Sequence, residues 1–72
     1  MNDRIEVQVN GERREVQQGW TIDDLVDDLG LRRDQVAVEL NRKILKRIDW
    51  ENCSLNEGDQ IEIVHFVGGG EV

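Results

Sequence analysis

Two short alternating runs joined by Asn10-Gly11 set the first constraint on this chain. Ile5-Glu6-Val7-Gln8-Val9 puts apolar side chains on one face and polar ones on the other, and Glu12-Arg13-Arg14-Glu15-Val16 is a second, more charged extended run. Asn-Gly supplies both positive-φ residues of a type I′ turn, whose twist matches the flanking strands, so the chain opens on a β-hairpin. The charges of the second run suit a sheet edge, where they discourage pairing with another chain. The rest of the chain has to cover the apolar face of that hairpin.

Gln17-Gln18-Gly19 breaks the extended pattern, and Trp20-Thr21-Ile22-Asp23-Asp24-Leu25 carries the signs of a helix start. Thr21 is placed to cap the helix, Asp24 stands at the reciprocal capping-box position, and Trp20 can pack on Leu25 as a hydrophobic staple. Ile22, Leu25, Val26 and Leu29 form one apolar stripe at helical spacing, and Gly30 ends the helix as a left-handed residue with Leu31 folding back on Val26. The helix is about two turns long and packs on a sheet. Val36-Ala37-Val38-Glu39-Leu40 reads as a third strand, and an Asn41-Arg42 turn leads into the short extended piece Lys43-Ile44-Leu45. Ile48 and Trp50 are expected to tuck under the sheet from a single-turn segment. Asn56-Glu57-Gly58-Asp59 is a turn cluster before the last strand, Gln60 to Phe66.

Seventy-two residues leave room for one domain with a small core, and 38% hydrophobic against 35% charged residues excludes both a disordered chain and a membrane protein. A net charge of -7, from 16 acidic and 9 basic residues, repels phosphate backbones and anionic lipid, so neither nucleic acid nor membrane is an expected partner. The one cysteine, Cys53, has no internal disulfide partner, and no leader-like apolar run precedes the first strand. The expected compartment is the cytoplasm; Asn52-Cys53-Ser54 matches a glycosylation pattern whose chemistry needs a secretory route.

Candidates for chemistry are few. Asp23, Asp24, Asp27 and Asp28 crowd the helix, and Asp27 and Asp28 lie near the negative end of its dipole, so helix stability does not account for the cluster. Four carboxylates on one exposed face read as solvated rather than as a metal site, with docking onto a basic partner between these readings. Arg42, Lys43, Lys46 and Arg47 form a basic group without aromatic interleaving, which reads as a solvated face. Cys53 has no neighbouring cationic cluster to lower its pKa and reads as inert; His65 has no partner for base or nucleophile work and reads as a strand residue lining the exit of the tail. The seven glycines fall at turns and in the tail, leaving none for a phosphate-binding loop.

The chain ends in Phe66-Val67-Gly68-Gly69-Gly70-Glu71-Val72, an apolar run that stops in three glycines. Glycine loses more backbone freedom on ordering than any other residue, so residues 68–72 are expected as a thin tail on a domain spanning residues 1–67. From composition alone, a frayed end and a terminus on which another enzyme works remain open. The order strand, strand, helix, strand, short strand, strand, with a right-handed crossover and the most apolar strand beside the first, gives an α+β chain of the β-grasp type, with four to five strands and one helix on one face. Alternation turns Ile61, Ile63, Val36 and Val38 toward the helix and Ala37, Val64 and Phe66 outward, a candidate partner-docking surface.

The Asn10-Gly11 hairpin, Thr21-Ile22-Asp23-Asp24-Leu25, Val36 to Asn41, the Gly58-Asp59 turn and Ile61 to Gly70 together resemble the thiamine-biosynthesis sulfur carriers, the ThiS family, over essentially the whole chain. The resemblance implies a carrier that catalyses nothing itself. An E1-like, ThiF-like adenylating enzyme would use ATP and Mg²⁺, bound by that partner, to activate a terminal glycine carboxylate. Sulfur from a cysteine desulfurase relay would replace the AMP, and a ThiG-like thiazole synthase would take it from the glycyl thiocarboxylate. By position the modified terminus is Gly70, with Gly69 and Gly68 as its approach. Glu71 and Val72 follow Gly70 here, so proteolytic removal, a cloning remnant, or a β-grasp interaction module that carries no sulfur are three readings of the tail. Gly-Gly ends also mark ubiquitin-like modifiers and the small subunit of molybdopterin synthase.

Overall fold

Asn10 and Gly11 take φ values of 52° and 85°, the two left-handed positions of a type I′ turn. In this computed structural model, which describes residues 3–66, they join β1 (Arg4–Val9) to β2 (Glu12–Gln17). The pairing runs without interruption from Arg4↔Gln17 to Val9↔Glu12. Its register turns Val7 and Val16 into the core and leaves the remaining β2 residues exposed, so charge and edge position coincide as the sequence pattern requires.

The helix α1 (Ile22–Asp28) begins where its capping chemistry begins. Thr21 Oγ1 accepts the Asp24 N–H at 3.2 Å, and Asp24 Oδ2 accepts the Thr21 N–H at 2.9 Å, a capping box with aspartate in place of glutamate. At the other end the Leu31 N–H donates to the Val26 carbonyl at 3.2 Å and the Gly30 N–H to that of Asp27 at 3.0 Å. That pair of bonds, with Gly30 at φ 72°, is a Schellman motif. Between the caps Ile22, Leu25 and Val26 are buried against the sheet. Thr21→Ala is expected to lower stability by about 1 kcal/mol, and Thr21→Ser to restore most of it. The check is the urea midpoint at constant m-value.

β3 (Val36–Leu40), β4 (Lys43–Leu45) and β5 (Gln60–His65) complete a five-stranded sheet in the order β2-β1-β5-β3-β4. β5 runs parallel to β1 and antiparallel to β3. This is the β-grasp topology, and it places the last strand at the centre, as its apolar character predicts. Asn41 and Arg42 make the β3–β4 turn with φ of 52° and 72°, a second type I′ geometry, here with arginine where glycine is favoured.

A 3₁₀ segment, Arg47–Asn52, closes the open end of the core. Trp50 is 1% exposed and its Nε1–H donates to the Leu45 carbonyl at 3.1 Å. Ile48, expected beside it, is instead 80% exposed. A 3₁₀ turn has three residues, so Arg47 and Trp50 share a face while Ile48 lies a third of a turn away. Arg47 and Arg33 lie over the indole at 5.4 and 5.8 Å from its centroid, so Arg47, exposed as the basic group was expected to be, also has a ring partner that the sequence pattern did not give it. Among the described residues no helix is long and apolar enough to cross a membrane.

Candidate functional site

β5 is pinned along its length. Asn41 Oδ1 accepts the Gln60 N–H at 3.0 Å, Asn10 Oδ1 accepts the Ile63 N–H at 2.7 Å, and the Phe66 N–H donates to the Gln35 carbonyl at 3.1 Å. Asn10 and Asn41 are each the first left-handed residue of their turn, and short amide side chains tolerate that conformation while reaching a nearby backbone group. Asn41 Nδ2 also donates to Asp59 Oδ1 at 3.1 Å, and Asp59 Oδ2 accepts the Asn56 N–H at 2.8 Å. Both turns therefore clamp the central strand. Its C-terminal end leaves the sheet at Phe66 on a fixed base. Gly68, Gly69 and Gly70 lie outside the described residues.

The sheet face opposite α1 carries the sequence-predicted apolar residues. Ala37 pairs directly with Val64, and Ala37, Val64 and Phe66 are all exposed. Ile44, which alternation along single strands does not assign to this surface, belongs to it. Glu39↔Ile44 and Ala37↔Val64 are cross-strand pairs of one sheet, so Ile44 lies diagonal to Ala37 on the same face, 79% exposed. The signal was present in the two-residue Asn41-Arg42 turn, which fixes Leu40 opposite Lys43 and hence Ile44 opposite Glu39. Glu39 and Glu62 face each other directly on this surface, and neither enters an ion pair among the described residues. Like charges so placed are destabilising.

The remaining candidates separate. Asp24 belongs to the capping box, Asp28 pairs with Arg14 at 3.3 Å, and Asp23 lies 3.1 Å from Arg33 Nε, an ion pair without an aligned hydrogen bond. Three of the four helix aspartates thus have partners; that of Asp24 is the expected N-cap Thr21, whereas those of Asp28 and Asp23 come from β2 and the loop after α1, which the helix dipole alone does not predict. Among the described residues no group of three or more His, Cys, Asp and Glu side chains could hold a metal. Cys53 is half-buried, and burial, with Asp59 and Asp49 nearby, pushes its thiol pKa up. A thiol held protonated is a poor sulfur nucleophile. His65 lies on the α1 side of the sheet end, beside a cleft between the hairpin tip and the end of α1.

Comparison with known proteins bears on this arrangement. The family model described as ThiS matches residues 7–70, so Gly70 is the last residue it covers. The chain is 44% identical over 50 residues to the sulfur carrier protein ThiS of Bacillus subtilis, covering 69% of this chain and 76% of that protein. It is 39% identical over 67 residues to a thiazole synthase of Magnetococcus marinus, covering 93% of this chain but 21% of that protein; it spans about a fifth of the length of the first curated relatives it matches. The crystal structure of ThiS from Geobacter metallireducens superposes with a TM-score of 0.80 at 29% identity, over 92% of this chain and 100% of that one. With a matching family model over most of its length and that sheet beneath it, the chain belongs to the ThiS family.

Proposed function

We propose that the chain carries sulfur for thiazole formation in thiamine biosynthesis, as a thiocarboxylate on Gly70, and catalyses no step itself. The observation that carries this reading is the family match, which ends at Gly70 and leaves Glu71 and Val72 outside it. A free carboxylate is a poor electrophile. Attack of its oxygen on the α-phosphorus of ATP expels pyrophosphate and leaves an acyl-adenylate; the terminal sulfur of a persulfide then displaces AMP to give an acyl disulfide, whose S–S bond a thiol cleaves, releasing the thiocarboxylate and leaving a disulfide. The adenylating partner binds the ATP and Mg²⁺, and a cysteine desulfurase relay is the sulfur source. A thiazole synthase is the acceptor, supported by the relatives of that name in which a segment similar to this chain makes up about a fifth of the length. Because a peptide carbonyl at Gly70 offers no carboxylate, Glu71-Val72 is removed first, and Gly68 and Gly69 form the side-chain-free approach. Ala37, Val64 and Phe66, with Ile44, form the face that docks on the partner. The compartment is the cytoplasm, where ATP and reduced sulfur donors are available.

The test is mass spectrometry of two forms, one ending at Gly70 and one retaining Glu71-Val72, each incubated with ATP, Mg²⁺, the adenylating enzyme and a sulfur donor. The shorter form is expected to exchange one oxygen for sulfur at its terminus, and the longer form to stay unchanged. Sulfur on Cys53, or no exchange in the shorter form with its cognate partners, would sink the proposal.

A further inference from the structure

The basic residues of the chain divide into two groups. Arg4, Arg13, Arg14, Arg32 and Arg33 each stand beside a carboxylate, at 3.1 to 3.7 Å. Arg42, Lys43, Lys46 and Arg47 have no carboxylate within ion-pair distance among the described residues. Those four cations, of 9 in the chain, and none of its 16 acidic residues fall within residues 42–48. The same stretch holds Ile44 and Ile48, 79% and 80% exposed, more than any other large hydrophobic residue among those described. β4 is the outermost strand on its side of the sheet, so this strip is open along its outer edge. Arg47 fixes it in place. Its Nε donates to the Arg33 carbonyl at 2.8 Å and its Nη2 to that of Val36 at 3.2 Å, which holds the backbone that carries Lys46 and Ile48 on either side. Residues 43–46 are extended, so alternation puts Lys46 on the same face as Ile44. Arg42, at φ 72°, occupies a left-handed position that favours glycine, a backbone cost for a side chain with no hydrogen bond or ion pair among the described residues.

A partner that brings carboxylates to these cations and covers the isoleucines gains on both counts. Acids border the strip. Glu39 faces Ile44 across the β3–β4 ladder, and Asp49 and Glu51 follow on the 3₁₀ segment. They lie beyond ion-pair distance of the four cations, and they repel a carboxylate from the sheet face and from the 3₁₀ segment, which leaves the outer edge of β4 to receive one. Elsewhere the surface of this chain, of net charge -7, repels anions. A phosphate polymer would leave the isoleucines uncovered, and a broad anionic bilayer would meet the acidic remainder of the surface. We propose that residues 42–48 form a docking surface for an acidic segment of another protein, with its carboxylates beside Arg42, Lys43 and Lys46 and an aliphatic side chain on Ile44.

The probe is the peptide Ac-Gly-Glu-Glu-Leu-Glu-Glu-Gly-NH2, titrated into the full chain labelled with ¹⁵N at an ionic strength of about 0.01 M, where the screening length is about 30 Å. Saturable shifts are expected at residues 42–48. Lys43→Ala or Lys46→Ala should each weaken binding about threefold, the size of one exposed ion pair, and the two together about tenfold. Arg42→Gly should weaken it by a similar factor without loss of stability, since glycine is favoured at that φ. A peptide with serine in place of leucine should bind about fivefold more weakly, and one with lysine in place of every glutamate should not shift these residues. Raising the ionic strength to about 0.15 M, where the screening length is about 8 Å, should weaken binding. Shifts scattered over the surface or centred elsewhere overturn the proposal, as does equal affinity for the serine peptide, which would reduce the interaction to charge alone. Tighter binding of inorganic tripolyphosphate at these residues, or cosedimentation with phosphatidylglycerol vesicles that Lys46→Ala abolishes, overturns it in favour of a phosphate or lipid site. No ATP or adenylating enzyme is present, so the result is independent of sulfur carriage.

Discussion

Trp50→Ala is expected to cost about 3–5 kcal/mol, the largest single loss available in this chain. Domains of this size hold only about 5–15 kcal/mol in total, toward the low end for small cores, so the variant should be substantially unfolded at ambient temperature. Three effects combine. The indole is the largest fully buried side chain, and its removal leaves a cavity that the surrounding core fills only in part. The Leu45 carbonyl loses the Nε1–H it accepts at 3.1 Å. Arg33 and Arg47 lose the ring they cover, and with it the contact that holds the turn before β3 against the 3₁₀ segment. Arg47 Nε still has the Arg33 carbonyl at 2.8 Å, so the bracket loosens without vanishing. Trp50→Phe, which keeps much of the apolar volume but not the donor, should lose less than half as much. Urea unfolding followed by circular dichroism separates the two variants, and equal losses would mean that the hydrogen bond and not the volume dominates.

The sequence made most of this sheet legible because local chemistry and global topology agree. Asn10-Gly11, Thr21 with Asp24, and Gly30 with Leu31 each specify one geometry that needs no distant partner, and each appears in the structure. Alternation likewise set Val36, Val38, Ile61 and Ile63 inward. What stayed hidden depends on contacts between segments remote in sequence. Ile48 and Trp50 look alike in composition, and only the three-residue repeat of the segment after β4 decides which one is buried. Leu55 enters the core at 3% exposed because the Leu55 N–H bonds to the Trp20 carbonyl at 2.8 Å, a long-range bridge with no periodic signature. Asp28 looked unsupported because its partner, Arg14, comes from another element. Ala37, Val64 and Phe66 were legible as an outward row, whereas adding Ile44 required the register across the β3–β4 turn.

That register supports the second large effect. Val64→Asp and Ile44→Asp are each expected to lower kcat/KM for adenylation of the form ending at Gly70 by roughly 30-fold, the size of a 2 kcal/mol interface contact. Both side chains are solvent-facing, 56% and 79% exposed, so folding stability should change by less than about 1 kcal/mol. On the proposed docking face the loss should sit in KM and not in kcat, because the substitutions remove contact area while the proposed reacting terminus at Gly70 is unaltered. Charge sharpens the comparison. Glu39 and Glu62 already oppose each other on this face, and a carboxylate at position 64 or 44 adds a third to a surface that a partner must desolvate. Ile44→Lys, which removes the same apolar area but relieves that repulsion, should therefore lose less if the partner is not itself strongly basic there, and more if it is. An unchanged kcat/KM for Val64→Asp would remove this face from the docking surface. A fall in kcat alone would place the defect after docking, at the delivery of the terminus.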